Sequence, residues 1–254
     1  MTTINIKMDR KEVEQLLESK GIEYTKQSYG VEVWHDYGAG NPWEEWDGQI
    51  PLMCKFDRRI EDYSKGDIKE YIGDSVTDAQ LLEHADLFLY WQGNWSADDL
   101  KDMELDEQLD ILRDGVTELL DGGGLGDIGS LCNLIGVNYY HGSVKGYSQG
   151  DYAEVLFVPT FTWEQETGAK IEEVTEEGFE EARKLFEYWA FGDVYGFSVV
   201  DNYGEVLDSC GGFYGPLWNS DSADQMVEHI DLDAYGWTRE EAIELLKDAE
   251  VKYG

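Results

Sequence analysis

Charge is the strongest constraint on this chain: 55 Asp and Glu stand against 19 Lys and Arg in 254 residues, a formal net charge of −36. A charge of that size repels itself in any compact state. A fold must therefore come from strong apolar burial. The means are present: hydrophobic residues make up 42% and aromatics 13%, including nine Trp and sixteen Tyr. A disordered acidic tail would be poor in aromatics, so a folded chain is expected.

The charge is unevenly spread. Residues 1–30 balance five acids with five bases, whereas 71–122 carry fourteen acids and two bases, and 191–254 fourteen and three. Nucleic-acid binding needs a basic face to neutralise phosphates, and no segment supplies one. Direct binding to DNA, RNA or an anionic membrane is not expected. The expected partner is a basic protein, and DNA-binding proteins are the foremost class of these.

Three cysteines, Cys54, Cys132 and Cys210, are an odd number with no close pair. This argues against a disulfide framework and suits a reducing compartment. The first residues, MTTINIKMDRKEVEQ, lack the apolar stretch of a signal peptide. Apolar runs such as 87–91 and 155–159 are too short to span a bilayer. A cytoplasmic protein is expected.

Periodicity predicts helices over 9–20, 77–90, 97–120, 175–189 and 238–249, the last opened by a Thr238/Glu241 capping box. Strands are expected at 22–24, 30–34, 50–56, 131–140 and 152–161, with a structured loop over 38–51. A hairpin is expected from 194–200 and 205–209 about the turn Asp201-Asn202-Tyr203-Gly204. This mixture lacks a βαβ rhythm, so the fold class is α+β, with mixed antiparallel hairpins and sheets beside acidic amphipathic helices. A division into an N-terminal region 1–92 and an acidic C-terminal region 93–254 is one organisation; a single domain is the other. Tyr63-Ser-Lys-Gly-Asp67 and Tyr147-Ser-Gln-Gly-Asp151 are alike, as a turn used twice would be.

Motifs of chemistry are weak. Gly124-Leu-Gly-Asp-Ile-Gly129 fits G-x-G-x-x-G, but it follows a helix rather than a strand, and Asp121 and Asp127 would repel a pyrophosphate. It is read as a helix terminator. Asp231-Leu-Asp233-Ala-Tyr235-Gly236 begins like an EF-hand loop, yet Tyr235 and Ala242 stand where oxygen ligands are required. His35, His84, His141 and His229 show no zinc-ligand spacing. Cys210 would need a base brought near by folding, His141 or His229, to act as a nucleophile. No catalytic residue, metal or cofactor is assigned.

The acidic helices are more informative. Asp99, Asp102, Asp106, Asp110 and Asp114, with Asp98 beside them, recur every three or four residues. On a helix this makes a stripe with neighbours about 6 Å apart along the axis, comparable to successive phosphates along a strand. Glu172, Glu173, Glu176, Glu177, Glu180 and Glu181 form a second patch. Amphipathic helices ordinarily carry a solvated charged face. Here only Lys101 and Arg113 interrupt the first stripe, so i,i+4 pairing cannot stabilise it. These twelve acids are the candidate partner-binding residues.

Gly192-Asp-Val-Tyr-Gly-Phe197 and Asp208-Ser-Cys-Gly-Gly-Phe-Tyr-Gly215 resemble a segment of uncharacterised phage and mobile-element proteins. A Trp commonly follows the Cys in that pattern; Gly211 stands there in this chain. The resemblance covers about 30 residues and implies a phage or prophage source, with no activity or site residue attached. The composition is also similar to that of acidic DNA-mimic proteins that inhibit restriction or CRISPR enzymes. DNA mimicry against a host defence enzyme is the leading expectation. The alternatives are an acidic regulator that binds through exposed aromatics such as Trp43, Trp46, Trp91, Trp95 or Trp218, an enzyme with an unrecognised Cys, Asp and His site, and salt adaptation.

Overall fold

The computed structural model describes residues 29–56, 59–62, 68–145, 152–201, 203–216, 220–249 and 251–252. The helix expected over 9–20, the strand at 22–24, both Tyr-Ser-x-Gly-Asp turns and Trp218 lie outside them. The architecture is α+β, with two four-stranded sheets and helices packed against both.

The first sheet has the order β3-β2-β5-β4, from strands β2 (Leu52–Phe56), β3 (Arg59–Asp62), β4 (Tyr140–Lys145) and β5 (Tyr152–Phe157), all antiparallel. It is covered on both faces. Leu52, Cys54, Ala153, Val155 and Phe157 share a core with Phe179, Ala182 and Phe186 of the helix Glu176–Phe191. Met53 and Leu156, pointing the other way along the same strands, join the helices between 68 and 135. This explains why Val155–Val158 is unbroken in apolar character: a strand buried on both faces has no solvent side to mark with polar residues.

The second sheet also has four strands. Strand β1 (Tyr29–His35) pairs antiparallel with β6 (Val194–Asp201) and parallel with β8 (Val251–Lys252), and β6 forms the expected hairpin with β7 (Val206–Tyr214). Val33, Tyr195, Phe197, Val199 and Phe213 pack under Ala223, Met226 and Val227 of Ser220–Glu228 and Ala242 and Leu246 of Arg239–Asp248. On the opposite face Trp34 lies across Gly196 and Gly211. A Cβ at Gly196 would sit 2.3 Å from the indole. One at Gly211 would meet the Asp36 carboxylate at 2.5 Å and the indole at 3.0 Å. The Gly-aromatic alternation of this segment thus makes room for one tryptophan, whose Nε1 donates to Ser198 Oγ at 3.2 Å.

Both halves of the chain contribute to each sheet, and one core holds Phe88 and Leu89 together with Leu100, Leu112 and Val116. The chain on either side of position 92 therefore shares one core and both sheets. Several expected elements are corrected. The helix expected over 77–90 is two, Asp78–Glu83 and Ala85–Gln92, separated at His84. That over 97–120 is also two, Ala97–Leu100 and Leu105–Gly122. Glu104, in extended backbone with ψ 152°, starts the second, and Gln108 Nε2 closes the intervening turn by donating to Met103 O at 2.9 Å. Residues 131–140 are not a strand: Leu125–Ile135 is a helix, ended by Gly136 in left-handed backbone, and only Tyr140 begins β4. The strand expected to reach 161 stops at Phe157, because Thr160 caps the helix Phe161–Thr167. The loop over 38–51 contains a short helix, Pro42–Glu45.

Candidate protein-binding surface

The helix Leu105–Gly122 buries Leu109, Leu112, Val116, Leu119 and Leu120. That stripe fixes what faces solvent. Asp106, Asp110, Asp114 and Glu118 follow one another at four-residue spacing and are exposed, with Glu107 beside them. Arg113 is the only cation of this helix. It donates to Asp110 at 3.3 Å and, more closely, to Asp78 of the neighbouring helix at 2.7 Å. Lys69 reaches Asp121 at 3.2 Å. No ion pair joins Asp106, Glu107, Asp114 or Glu118 to any described residue.

The expected stripe is divided by the break at 101–104. Asp98 and Asp99 belong to the short helix Ala97–Leu100 and are occupied locally. Asp98 pairs with Lys101. Asp99 accepts from the Ser96 hydroxyl and from its backbone N–H at 2.9 Å, and these bonds hold its carboxyl below the usual range. Asp102 is exposed in the turn. Of the six aspartates, then, Asp106, Asp110 and Asp114 share a helical face. Glu118, Glu107 and Asp121 belong with them and were missing from the expected set. The four-residue progression from Asp106 points straight to Glu118.

Helix Ala85–Gln92 lies against this helix. Its Asp86 and Tyr90 are exposed, Tyr90 by 78%. Trp91 packs edge-on to Tyr90 and rests near Gly122. Trp95, just beyond the helix, is 40% exposed. Trp43, among the aromatics considered for binding, is core: it is 2% exposed and donates through Nε1 to Ile50 O at 2.9 Å.

The second patch is also mixed. Glu172 and Glu173 lie in a 3-10 turn, and Glu176 and Glu177 in the first helical turn after the Thr175 cap, where carboxylates favour the helix dipole. Glu180 and Glu187 clamp Arg183 at 2.7 and 2.8 Å. Arg183 holds the Glu180 carboxyl below its ordinary range, and the two acids raise the guanidinium in turn. Glu181 is exposed and lines a groove.

The weak chemical motifs acquire structural roles. Gly124 starts helix Leu125–Ile135, so the G-x-G-x-x-G run opens a helix as well as following one. Asp127 Oδ2 accepts from Gly124 N–H at 2.9 Å, placing a carboxylate where a bound phosphate would need the same donors. Asp231 caps Leu232–Tyr235 by accepting from Ala234 N. His141 meets Glu154 at 2.9 Å, and His229 packs edge-on to Phe213. Cys210 is half-buried beside the second sheet's core, its Sγ 3.8 Å from Gly211 O. Among the described residues, no group of three or more His, Cys, Asp or Glu is arranged to hold a metal ion. None of their helices is long and apolar enough to cross a membrane.

Compared with protein-family models, curated proteins and solved structures, the chain matches none.

Proposed function

We propose that this chain is a phage-type DNA mimic that inhibits a host DNA-binding defence enzyme, of the restriction–modification or CRISPR kind, in the host cytoplasm. The observation that carries the reading is the row Asp106, Asp110, Asp114 and Glu118: four carboxylates along one exposed helical face, of which only Asp110 pairs with a described cation, Arg113 at 3.3 Å. Such a row presents regularly spaced negative charge to a basic cleft built for phosphates. Retaining it costs stability through like-charge contacts at i,i+4, which favours a role in binding over a role in folding. Association would be fast and strongly salt-dependent.

A second reading has its own support. Tyr90, on the helix packed against that of the acidic row, and Trp95, just beyond its end, are exposed and of residue types that dominate binding energy at protein interfaces. An acidic regulator could bind through them without imitating DNA.

The test is capture of partners from a bacterial lysate at low salt on the immobilised chain, followed by a challenge with duplex DNA. The mimic reading expects a DNA-binding enzyme that the duplex displaces and that D106N/D110N/D114N/E118Q fails to retain. A partner unmoved by duplex and by high salt, but lost with Tyr90→Ala or Trp95→Ala, would replace it with the second reading.

A further inference from the structure

The second acidic patch borders a groove of about 520 Å³ with aromatic walls, lined by Trp46, Tyr188, Tyr214, Gly215, Glu181 and Lys184. That is within the size range of small-ligand clefts. Three different parts of the chain hold the rings. Trp46 ends the short helix Pro42–Glu45, Tyr188 belongs to Glu176–Phe191, and Tyr214 ends β7. Trp46 stands edge-on to Tyr214, with centroids 4.9 Å apart and planes at 79°. The Tyr214 hydroxyl donates to Gly40 O at 2.7 Å, which fixes the ring. A Cβ at Gly215, whose φ is +117°, would be 3.3 Å from the Tyr188 ring, so bare backbone lets that ring close in.

Electrostatics select the occupant. Burial, helped by the nearby Glu45 and Asp36 carboxylates, pushes the Tyr214 hydroxyl up to about 12, so it stays neutral. Glu181 adds a third carboxylate, and Lys184 is the one cation among the described lining residues. Aromatic faces in a net negative field attract cations. A guanidinium suits them better than an ammonium, because it is planar, weakly hydrated and offers several donors to a carboxylate.

We propose that this groove receives an arginine side chain of the basic partner, the guanidinium lying against Trp46 and Tyr214 and bonded to Glu181. The assignment rests on the reading that the partner is basic, and it adds a specific pocket to a diffuse charged face.

Fluorine NMR of the full chain labelled with fluorotryptophan tests it, with acetyl-arginine amide as probe. Trp46→Phe identifies the Trp46 resonance among nine. Acetyl-arginine amide should move that resonance saturably, and acetyl-glutamine amide should not. Glu181→Gln should weaken the arginine response on the order of threefold. D106N/D110N/D114N/E118Q should leave it unchanged, because that row lies on another helix. A silent Trp46, an equal response to acetyl-glutamine amide, or indifference to Glu181→Gln overturns the assignment. The DNA-mimic reading fails separately, through a lysate partner that duplex DNA does not displace.

Discussion

Gly115 lies against the backbone of Phe88, where an added Cβ would stand 2.2 Å from the Phe88 carbonyl oxygen. The close approach of Ala85–Gln92 to Leu105–Gly122 depends on that missing side chain. Gly115→Ala would gain helix propensity, but it must push the two helices apart within a packed core. The net expectation is a loss of about 1–3 kcal/mol, read as a lower urea midpoint. A rise in the midpoint, as propensity alone predicts, would show that the helices part without penalty.

The acidic row makes an opposite kind of prediction. Asp106, Asp110, Asp114 and Glu118 contribute three like-charge contacts at i,i+4. Each destabilises a helix by about 0.2–0.5 kcal/mol. D114N/E118Q keeps the Asp110–Arg113 pair and the first-turn Asp106 and removes two of these contacts, so it should be more stable than the parent by roughly 0.4–1 kcal/mol while weakening partner binding. Added salt should narrow the difference by screening. Equal thermal midpoints at low salt would mean that the row carries no cost and needs no function to explain it.

Short-range signals were legible in the sequence and long-range ones were not. The Thr238/Glu241 box is present as expected, with reciprocal bonds of 2.8 and 3.2 Å, and so is the β6–β7 hairpin, because both are set by neighbours in sequence. The helix Leu125–Ile135 is only partly legible because Leu131-Cys132-Asn133-Leu134-Ile135, apolar but for Asn133, suits a strand equally well. What decides is burial of Leu125, Ile128, Leu131 and Cys132 on one helical face. The division of the aspartate stripe followed from a turn held by Gln108 and Met103, which periodicity does not register. The aromatic groove was not legible: Trp46, Tyr188 and Tyr214 are brought together only by tertiary packing.

The three cysteines should separate by reactivity. Cys54 and Cys132 are fully buried, and burial pushes the Cys132 thiol up to about 12. Cys210 is partly exposed. Reaction depends on thiolate and access. A thiol reagent should label Cys210 first in the native protein and all three in denaturant, as peptide mass spectrometry would reveal. Native labelling of Cys132 at a rate matching Cys210 would contradict the packing around helix Leu125–Ile135.

Asp193 gives the pH prediction. It is 5% exposed, accepts from the Tyr195 hydroxyl at 3.2 Å, and lies near His35. Burial raises its carboxyl above the ordinary value, and the Tyr195 bond and His35 only partly oppose this. The folded state therefore holds the Asp193 proton at a pH where the unfolded chain has released it. By linkage, stability falls as pH rises from the unfolded value through the raised folded one, and the cost is fully present at neutral pH. Many other acids titrate in the same window, so the wild-type curve alone cannot isolate this one. Asp193→Asn keeps an acceptor for Tyr195 and removes the ionisation. Its stability relative to wild type should be higher at pH 7 than in acid, with the change falling in the window above the ordinary Asp value. Urea unfolding of both proteins across that range measures it. A relative stability that falls toward pH 7 would mean that the charged carboxylate is favoured where it lies, through stronger attraction to His35 than its burial opposes.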